Sequence, residues 1–292
     1  MKLILIFCVI LFVIIIYSVI ENRFIKTVSY AVQKSKDGSM RQGSEAAEQY
    51  KRIRIVQLSD LHGCRYGKHN QKLLDRIIGS KPDIVLLTGD IITKYRPVPE
   101  DVLVFLEKLS GLCPCIYSFG NHELKEREKY PNRFSEYIDK LSQCGIIILD
   151  NDTRMLAVRS VCCRIGAYSS DVLQYSRRRP DRIIAEIPVT VTVQNGIDIL
   201  LSHDPELTEY YKATGYSLIF SGHYHGGIVR IPCGRGIISP RFMLFPRYDG
   251  GCYSLDNQHI MIVSRGLGSH TIRFRLFNRP ELVYTDVSIE DN

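Results

Sequence analysis

Apolar and polar positions divide the chain into stretches of different character. Residues 3–20 (LILIFCVILFVIIIYSVI) run for 18 residues without a charge. As a helix this run spans roughly 27 Å, close to the hydrocarbon thickness of a bilayer. A cleaved signal peptide has a shorter apolar core and small residues at its cleavage site. Here the run ends in Tyr17-Ser18-Val19-Ile20 and passes directly to Glu21-Asn22-Arg23. The pattern therefore predicts a retained transmembrane signal anchor over 1–21, since a buried core helix seldom lacks polar residues on every face. Residues 24–32 alternate as a strand, and 34–49 form a polar loop.

Beyond residue 50, short apolar runs alternate with segments of helical period. Strands are expected at 53–58, 83–88, 116–119 and 146–149, with helices at 68–79, 99–109 and 130–144 between them. Such alternation makes parallel strands covered by helices. The second half is richer in strands, at 156–158, 162–165, 187–193, 197–202, 218–221, 228–231, 259–264 and 282–287, with one helix at 205–213. No repeat and no linker interrupts it, so residues 22–292 read as one α/β domain in which two sheets pack face to face.

Composition changes this picture little: 45% hydrophobic and 24% charged residues belong to a folded domain rather than a disordered one. The net charge of +7 is partly juxtamembrane. Arg23, Lys26, Lys34 and Lys36 follow the apolar run, against Lys2 and the amino terminus before it, which places the domain on the cytoplasmic side of a single-pass anchor. Nine cysteines without a regular framework, several in apolar runs (Cys113, Cys115, Cys162, Cys163), suit buried thiols in a reducing compartment. The Arg177-Arg178-Arg179 run reads as a solvated loop. No interleaving of basic and aromatic residues supports nucleic acid as a stable partner, and no pattern specifies an oligomeric state.

The chemistry collects where strands end. The first strand runs into Ser59-Asp60-Leu61-His62-Gly63, and the second into Thr88-Gly89-Asp90. The third runs into Gly120-Asn121-His122-Glu123, and two later ones into Ser202-His203-Asp204 and Ser221-Gly222-His223-Tyr224-His225. Parallel strands deliver these ends to one edge. In an extended chain residues i and i+2 point the same way, which groups Asp60 with His62 and His223 with His225. Oxygen and imidazole donors without thiolate suit Mn, Fe, Zn or Co at an open site. Each segment alone has an ordinary alternative, such as a helix cap, a turn or a loop histidine. Their ordered combination is far more specific.

The set D-x-H, G-D, G-N-H-E, a lone histidine after a strand, and G-H-x-H resembles the calcineurin-like metallophosphoesterase superfamily. Segments such as VQLSDLHGCRYG, KPDIVLLTGD, LLSHDPEL, IFSGHYHGG and FNRPEL resemble its bacterial branch of membrane-anchored or exported phosphodiesterases, the YaeI/YkuE type. The resemblance implies a four-layer αββα sandwich behind one transmembrane helix, and a site for two divalent metal ions, Mn²⁺ first with Fe, Zn or Co as alternatives. Asp60, His62 and His225 would bind the first ion, and Asn121, His203 and His223 the second. Asp90 would bridge both. His122 would face the scissile phosphate and leaving oxygen without ligating. A membrane-anchored phosphodiesterase is thereby implied, cleaving P–O bonds with a metal-bridging hydroxide. Its substrate would be a phosphodiester, lipid- or nucleotide-linked.

Three departures stand out. The family's G-D-x-x-D is here Gly89-Asp90-Ile91-Ile92-Thr93. A threonine stabilises a protonated His122 less than a carboxylate does, so either a weaker acid or a carboxylate from elsewhere is expected. The branch's G-G-Q-x-R is Gly226-Gly227-Ile228-Val229-Arg230, leaving Arg230 as a phosphate contact or an outward-facing strand residue. The segment 168–172 also differs. Cys64 is expected near the mouth as a bystander. Thr93 is the sole support for a rival reading, a catalytically impaired metal-binding membrane scaffold or sensor. An enzyme acting on a non-phosphate ester or amide is weaker still.

Overall fold

The computed structural model describes residues 1–43, 50–169, 193, 196–232, 234–239, 243–269 and 274–290. The arginine run at 177–179, positions 170–172 of the divergent segment and all but Val193 of the strand expected at 187–193 lie outside them.

The first apolar run is a single helix, α1 (Lys2–Glu21), with Ser18 and Glu21 its buried residues. Its large apolar side chains from Leu3 to Ile20 are exposed, with Ile14 half-buried. Seven strands form the first sheet in the order β2 (Met40–Gln42), β1 (Lys26–Lys34), β15 (Glu281–Glu290), β3 (Tyr50–Leu58), β4 (Ile84–Thr88), β5 (Cys115–Ser118) and β6 (Ile147–Leu149). Six form the second: β13 (Gly251–Ser254), β14 (Ile260–Val263), β10 (Leu218–Ser221), β9 (Gly196–Ser202), β8 (Val161–Tyr168) and β7 (Asp152–Val158). A small ribbon pairs β11 (Val229–Arg230) with β12 (Gly236–Ile238).

The period of two along each strand sorts side chains into layers. Ile53 and Ile55 of β3, with Ile84 and Leu86 of β4, face the second sheet and pack on Ile165, Ile199, Phe220 and Ile262. The alternate residues Val56, Leu58, Val85 and Leu87 face outward onto α2 (Gln71–Ser80), α3 (Glu100–Ser110) and α5 (Pro131–Gln143), through Leu73, Ile77, Phe105, Leu109 and Tyr137. On the far side, Leu200, Ile219 and Met261 meet Tyr211 of α6 (Thr208–Lys212) and Tyr216. The result is helix, sheet, sheet, helix, the four-layer sandwich expected.

Local differences have local causes. The polar loop contains β2, paired with β1 through Lys34 and Met40. The strand expected at 228–231 shrinks to the two residues of β11. α4 (Asn121–Lys129), which the periodicity does not predict, begins directly at the metal-ligand candidates. All described cysteines are free, with Cys115 and Cys163 buried.

Strand direction fixes where the amino-terminal helix joins the domain. β3, β4, β5 and β6 are parallel, but β1 and β15, parallel to each other, run opposite to β3. Lys26 pairs with Glu281, two residues before the Val283–Gln57 pair near the end of β3. The chain therefore leaves α1 at the edge where β3 to β6 end.

Candidate metal centre

Loops continuing these strands hold one another by backbone bonds before any side chain enters. Asp60 N–H donates to Gly89 O at 3.0 Å, His62 N–H to Asp90 O at 2.9 Å, and Gly268 N–H to Asp60 O at 2.6 Å. Gly89 (φ +92°) lies so near β5 that an added Cβ would sit 2.5 Å from Gly120 N and 2.9 Å from His203 Nδ1. A Cβ on Gly120 would strike the Asp90 carboxylate. Close approach at these two glycines brings the second and third strand ends together.

Asp60, His62, Asp90, His223 and His225 all have positive φ, from 49° to 74°. The extended-chain argument for pairs i and i+2 therefore does not apply, because left-handed residues turn the backbone between them. His223 and His225 diverge to different groups. Asp60, His62 and His225 form one group with ligand atoms within 4.8 Å of one another; Asp90, His203 and His223 form a second. Non-glycine residues in the left-handed region store strain that clusters at functional sites.

Each carboxylate has one committed and one inward oxygen. Asp60 Oδ2 accepts Ser59 Oγ–H at 2.5 Å and His223 N–H at 3.1 Å. Its Oδ1, buried without a hydrogen-bond partner, lies 3.4 Å from His225 Nε2, 3.8 Å from His203 Nε2 and 3.9 Å from His62 Nε2. Asp90 Oδ1 accepts His122 N–H at 2.8 Å. Its Oδ2 lies 3.2 Å from His203 Nε2 and 3.8 Å from His62 Nε2, one residue from each group. Asn121, first residue of α4, has a buried Oδ1 that also makes no hydrogen bond.

Backbone carbonyls set the imidazole tautomers. His203 Nδ1 lies 2.8 Å from Thr88 O and His225 Nδ1 3.1 Å from Gly268 O. Each Nδ1–H donates outward, leaving the Nε2 lone pair for a metal. His122 differs. Its Nδ1 accepts Lys94 N–H at 3.0 Å, so in the neutral ring the proton sits on Nε2, a donor rather than a ligand. A third group of ligand atoms, His62, Asp90 and His122, is close enough to hold an ion, but this tautomer argues against His122 as a ligand. Among the described residues, His122 Nδ1 faces a backbone N–H rather than the carboxylate that was one of the two expectations. Thr93 instead donates its hydroxyl to His62 O at 2.8 Å.

Electrostatics follow from burying this many ionisable groups. Burial holds His62 well below its ordinary value. For His203 burial acts downward too, but Asp90 and Asp60 outweigh it and push the ring up to about 10. Burial opposes ionisation of Asp90, yet His203 and His122 keep its carboxyl well below the usual range. Ionised carboxylates beside converging imidazole Nε2 atoms make a pocket that favours a cation, which would displace the proton that His203 holds there without one. The donor set and the orphaned Asp60 and Asn121 oxygens fit divalent metal ions.

Other supports had no role assigned from sequence. Glu123, three residues after Gly120, accepts the N–H groups of Asp90 (2.8 Å), Gly120 (3.0 Å) and Ile92 (3.1 Å) and the Tyr117 hydroxyl (2.6 Å). Burial and Asp90 push it up to about 7. Asn278 Nδ2 donates to His225 O at 2.7 Å. The signals were visible as G-N-H-E and F-N-R-P. Arg230 is not the outward-facing strand residue of one expectation: it is buried, donating to Gly226 O at 2.6 Å and Asp249 O at 3.0 Å. Cys64 Sγ lies near Gly268, at 2.9 Å from where its Cβ would be.

Histidines and carboxylates converging at the strand ends of a two-sheet sandwich define a class, the metal-dependent hydrolases with an open α/β edge. Residues 53–227 match the model of the calcineurin-like phosphoesterase family, and the chain belongs to that family. It is 25% identical to the uncharacterized metallophosphoesterase YkoQ of Bacillus subtilis, over 81% of this chain and 84% of that protein. It is 26% identical to the phosphodiesterase YaeI of Escherichia coli, over 80% and 82%. With the UDP-2,3-diacylglucosamine pyrophosphatase LpxG of Chlamydia muridarum it shares 24% identity over 79% and 82%. The protein is thus a metallophosphoesterase.

Proposed function

We propose that the protein is a membrane-anchored phosphodiesterase working with two divalent metal ions, its anchor at 1–21 and its catalytic domain at 22–292. The observation that carries this reading is the position of Asp90 Oδ2, 3.8 Å from His62 Nε2 in one ligand group and 3.2 Å from His203 Nε2 in the other. Asp60, His62 and His225 would hold one ion and Asn121, His203 and His223 the second, with Asp90 shared. Ions bound there would supply an activated water and neutralise the phosphate oxygens. His122, with its proton on Nε2, would donate a hydrogen bond that stabilises charge developing on the departing oxygen. Ser59 and the His223 N–H fix the Asp60 carboxylate, and Thr88 O and Gly268 O fix two imidazoles. Mn²⁺ is the ion favoured. A phosphodiester or pyrophosphate carried on a lipid is the substrate class suggested by an anchor beside such a site, and by the relative that acts on UDP-2,3-diacylglucosamine. Basic residues after α1 favour a cytoplasmic domain.

The test uses the full chain in detergent, loaded with Mn²⁺ and assayed on bis-p-nitrophenyl phosphate beside the monoester. Metal-dependent diester turnover is expected, abolished in Asp90→Asn and lowered on the order of 10²–10⁴-fold in His122→Ala. Two bound ions without turnover would favour the scaffold reading.

A further inference from the structure

Next to the metal centre the surface changes character. Leu276 bridges Val229, Val229 pairs with Ile238, and Ile238 bridges Leu244, so four chain segments lie side by side. This platform continues directly from His225-Gly226-Gly227. It leaves large apolar side chains in solvent: Leu244 is 68% exposed, Phe245 52%, Ile231 47% and Phe277 44%. Its composition is one-sided. Neither residues 226–248 nor residues 264–280 contain an aspartate or glutamate. Arg235, Arg247 and Arg279 are exposed.

The platform is continuous with the end of α1. The Phe277 ring lies 5.3 Å from Tyr17, and Arg275 N–H donates to Ser18 Oγ at 2.9 Å. Arg275 is itself buried, and its guanidinium donates to Gly268 O at 2.7 Å, the carbonyl that faces His225 Nδ1. One residue thus spans from the helix end to a metal-ligand candidate. The reversal of β1 relative to β3 puts α1 and the metal centre at the same sheet edge.

We infer that this platform is the face on which the catalytic domain lies against an anionic bilayer, so that the metal centre opens at head-group level. The inference rests on the reading of α1 as a membrane anchor. Exposed apolar residues rimmed by arginine match the chemistry of an interfacial contact. A second copy of the chain is a poorer occupant, because a two-fold contact would set the arginines against one another.

The chain contains no tryptophan, so Leu244→Trp and Phe245→Trp each introduce a sole reporter. Leu112→Trp, 43% exposed at the opposite end of the sheet before β5, is the control. The full-length variants are reconstituted into phosphatidylcholine–phosphatidylglycerol vesicles whose lipids are brominated near the head group. Emission at 244 and 245 should fall about twofold, as for side chains seated at the head-group boundary, and that at 112 should not. Chain that floats with the vesicles but is quenched no more at 244 and 245 than at 112 would overturn the platform while keeping the anchor. Chain released from the vesicles by alkaline carbonate would overturn the anchor reading itself. Adding Arg235→Glu and Arg247→Glu to the Phe245→Trp chain should lessen the quenching; undiminished quenching would overturn the choice of an anionic surface.

Discussion

Thr93 gives its hydroxyl hydrogen to His62 O at 2.8 Å, and the neighbouring Lys94 N–H points at His122 Nδ1. Restoring the family's carboxylate is therefore expected to harm rather than help, because Thr93→Asp loses the donor and sets a negative charge near a carbonyl oxygen. Thr93→Val removes the donor alone and should cost about 1 kcal/mol of stability, read by chemical denaturation, with Thr93→Asp costing more. Thr93→Asp raising turnover would show instead that the loop re-forms around a carboxylate pair. Gly120→Ala is expected to abolish metal binding by calorimetry, since the new Cβ meets the Asp90 carboxylate and stands 2.6 Å from its backbone nitrogen. The metal-ligand candidates were legible because that chemistry restricts residue type and each follows an apolar strand. Arg230 and Thr93 were not, because their partners are backbone carbonyls whose positions depend on loop paths.

Among the elements, α4 shows how a helix can lie outside what periodicity detects. Its sequence NHELKEREK has a single apolar residue, Leu124, so no stripe repeats along it. The helix is instead set at its start, where Glu123 reaches back to Gly120 N–H while gathering the Asp90 and Ile92 N–H groups. Glu123→Ala strands three buried donors and a tyrosine hydroxyl. A loss of about 3 kcal/mol or more is expected in denaturant melts, with turnover falling through misplacement of Asp90. Unchanged stability would mean that water replaces the carboxylate. Apart from α4, the longer strands and helices of the first half were legible in order, since alternation and helical period arise from facing one core. Short strands such as β2 and β12 were not, because they are defined by a neighbour rather than by a pattern of their own.

For the whole molecule, a buried pocket of carboxylates and imidazoles couples metal loading to folding. Chelation should lower the melting temperature, since an ion at a thousandfold its dissociation constant contributes about 4 kcal/mol of stability. An unchanged melt after chelation would place the ions elsewhere. The sandwich itself was legible in outline; the reversed pair β1 and β15 was not, because nothing local tells residues 26–34 that their partner lies at 281–290. That pairing also orders events during synthesis. α1 and β1 leave the ribosome long before β15, yet β1 reaches β3 only through β15. A nascent chain halted before residue 281 would keep its β1 edge open, and closure of the first sheet must wait until residues 281–290 emerge.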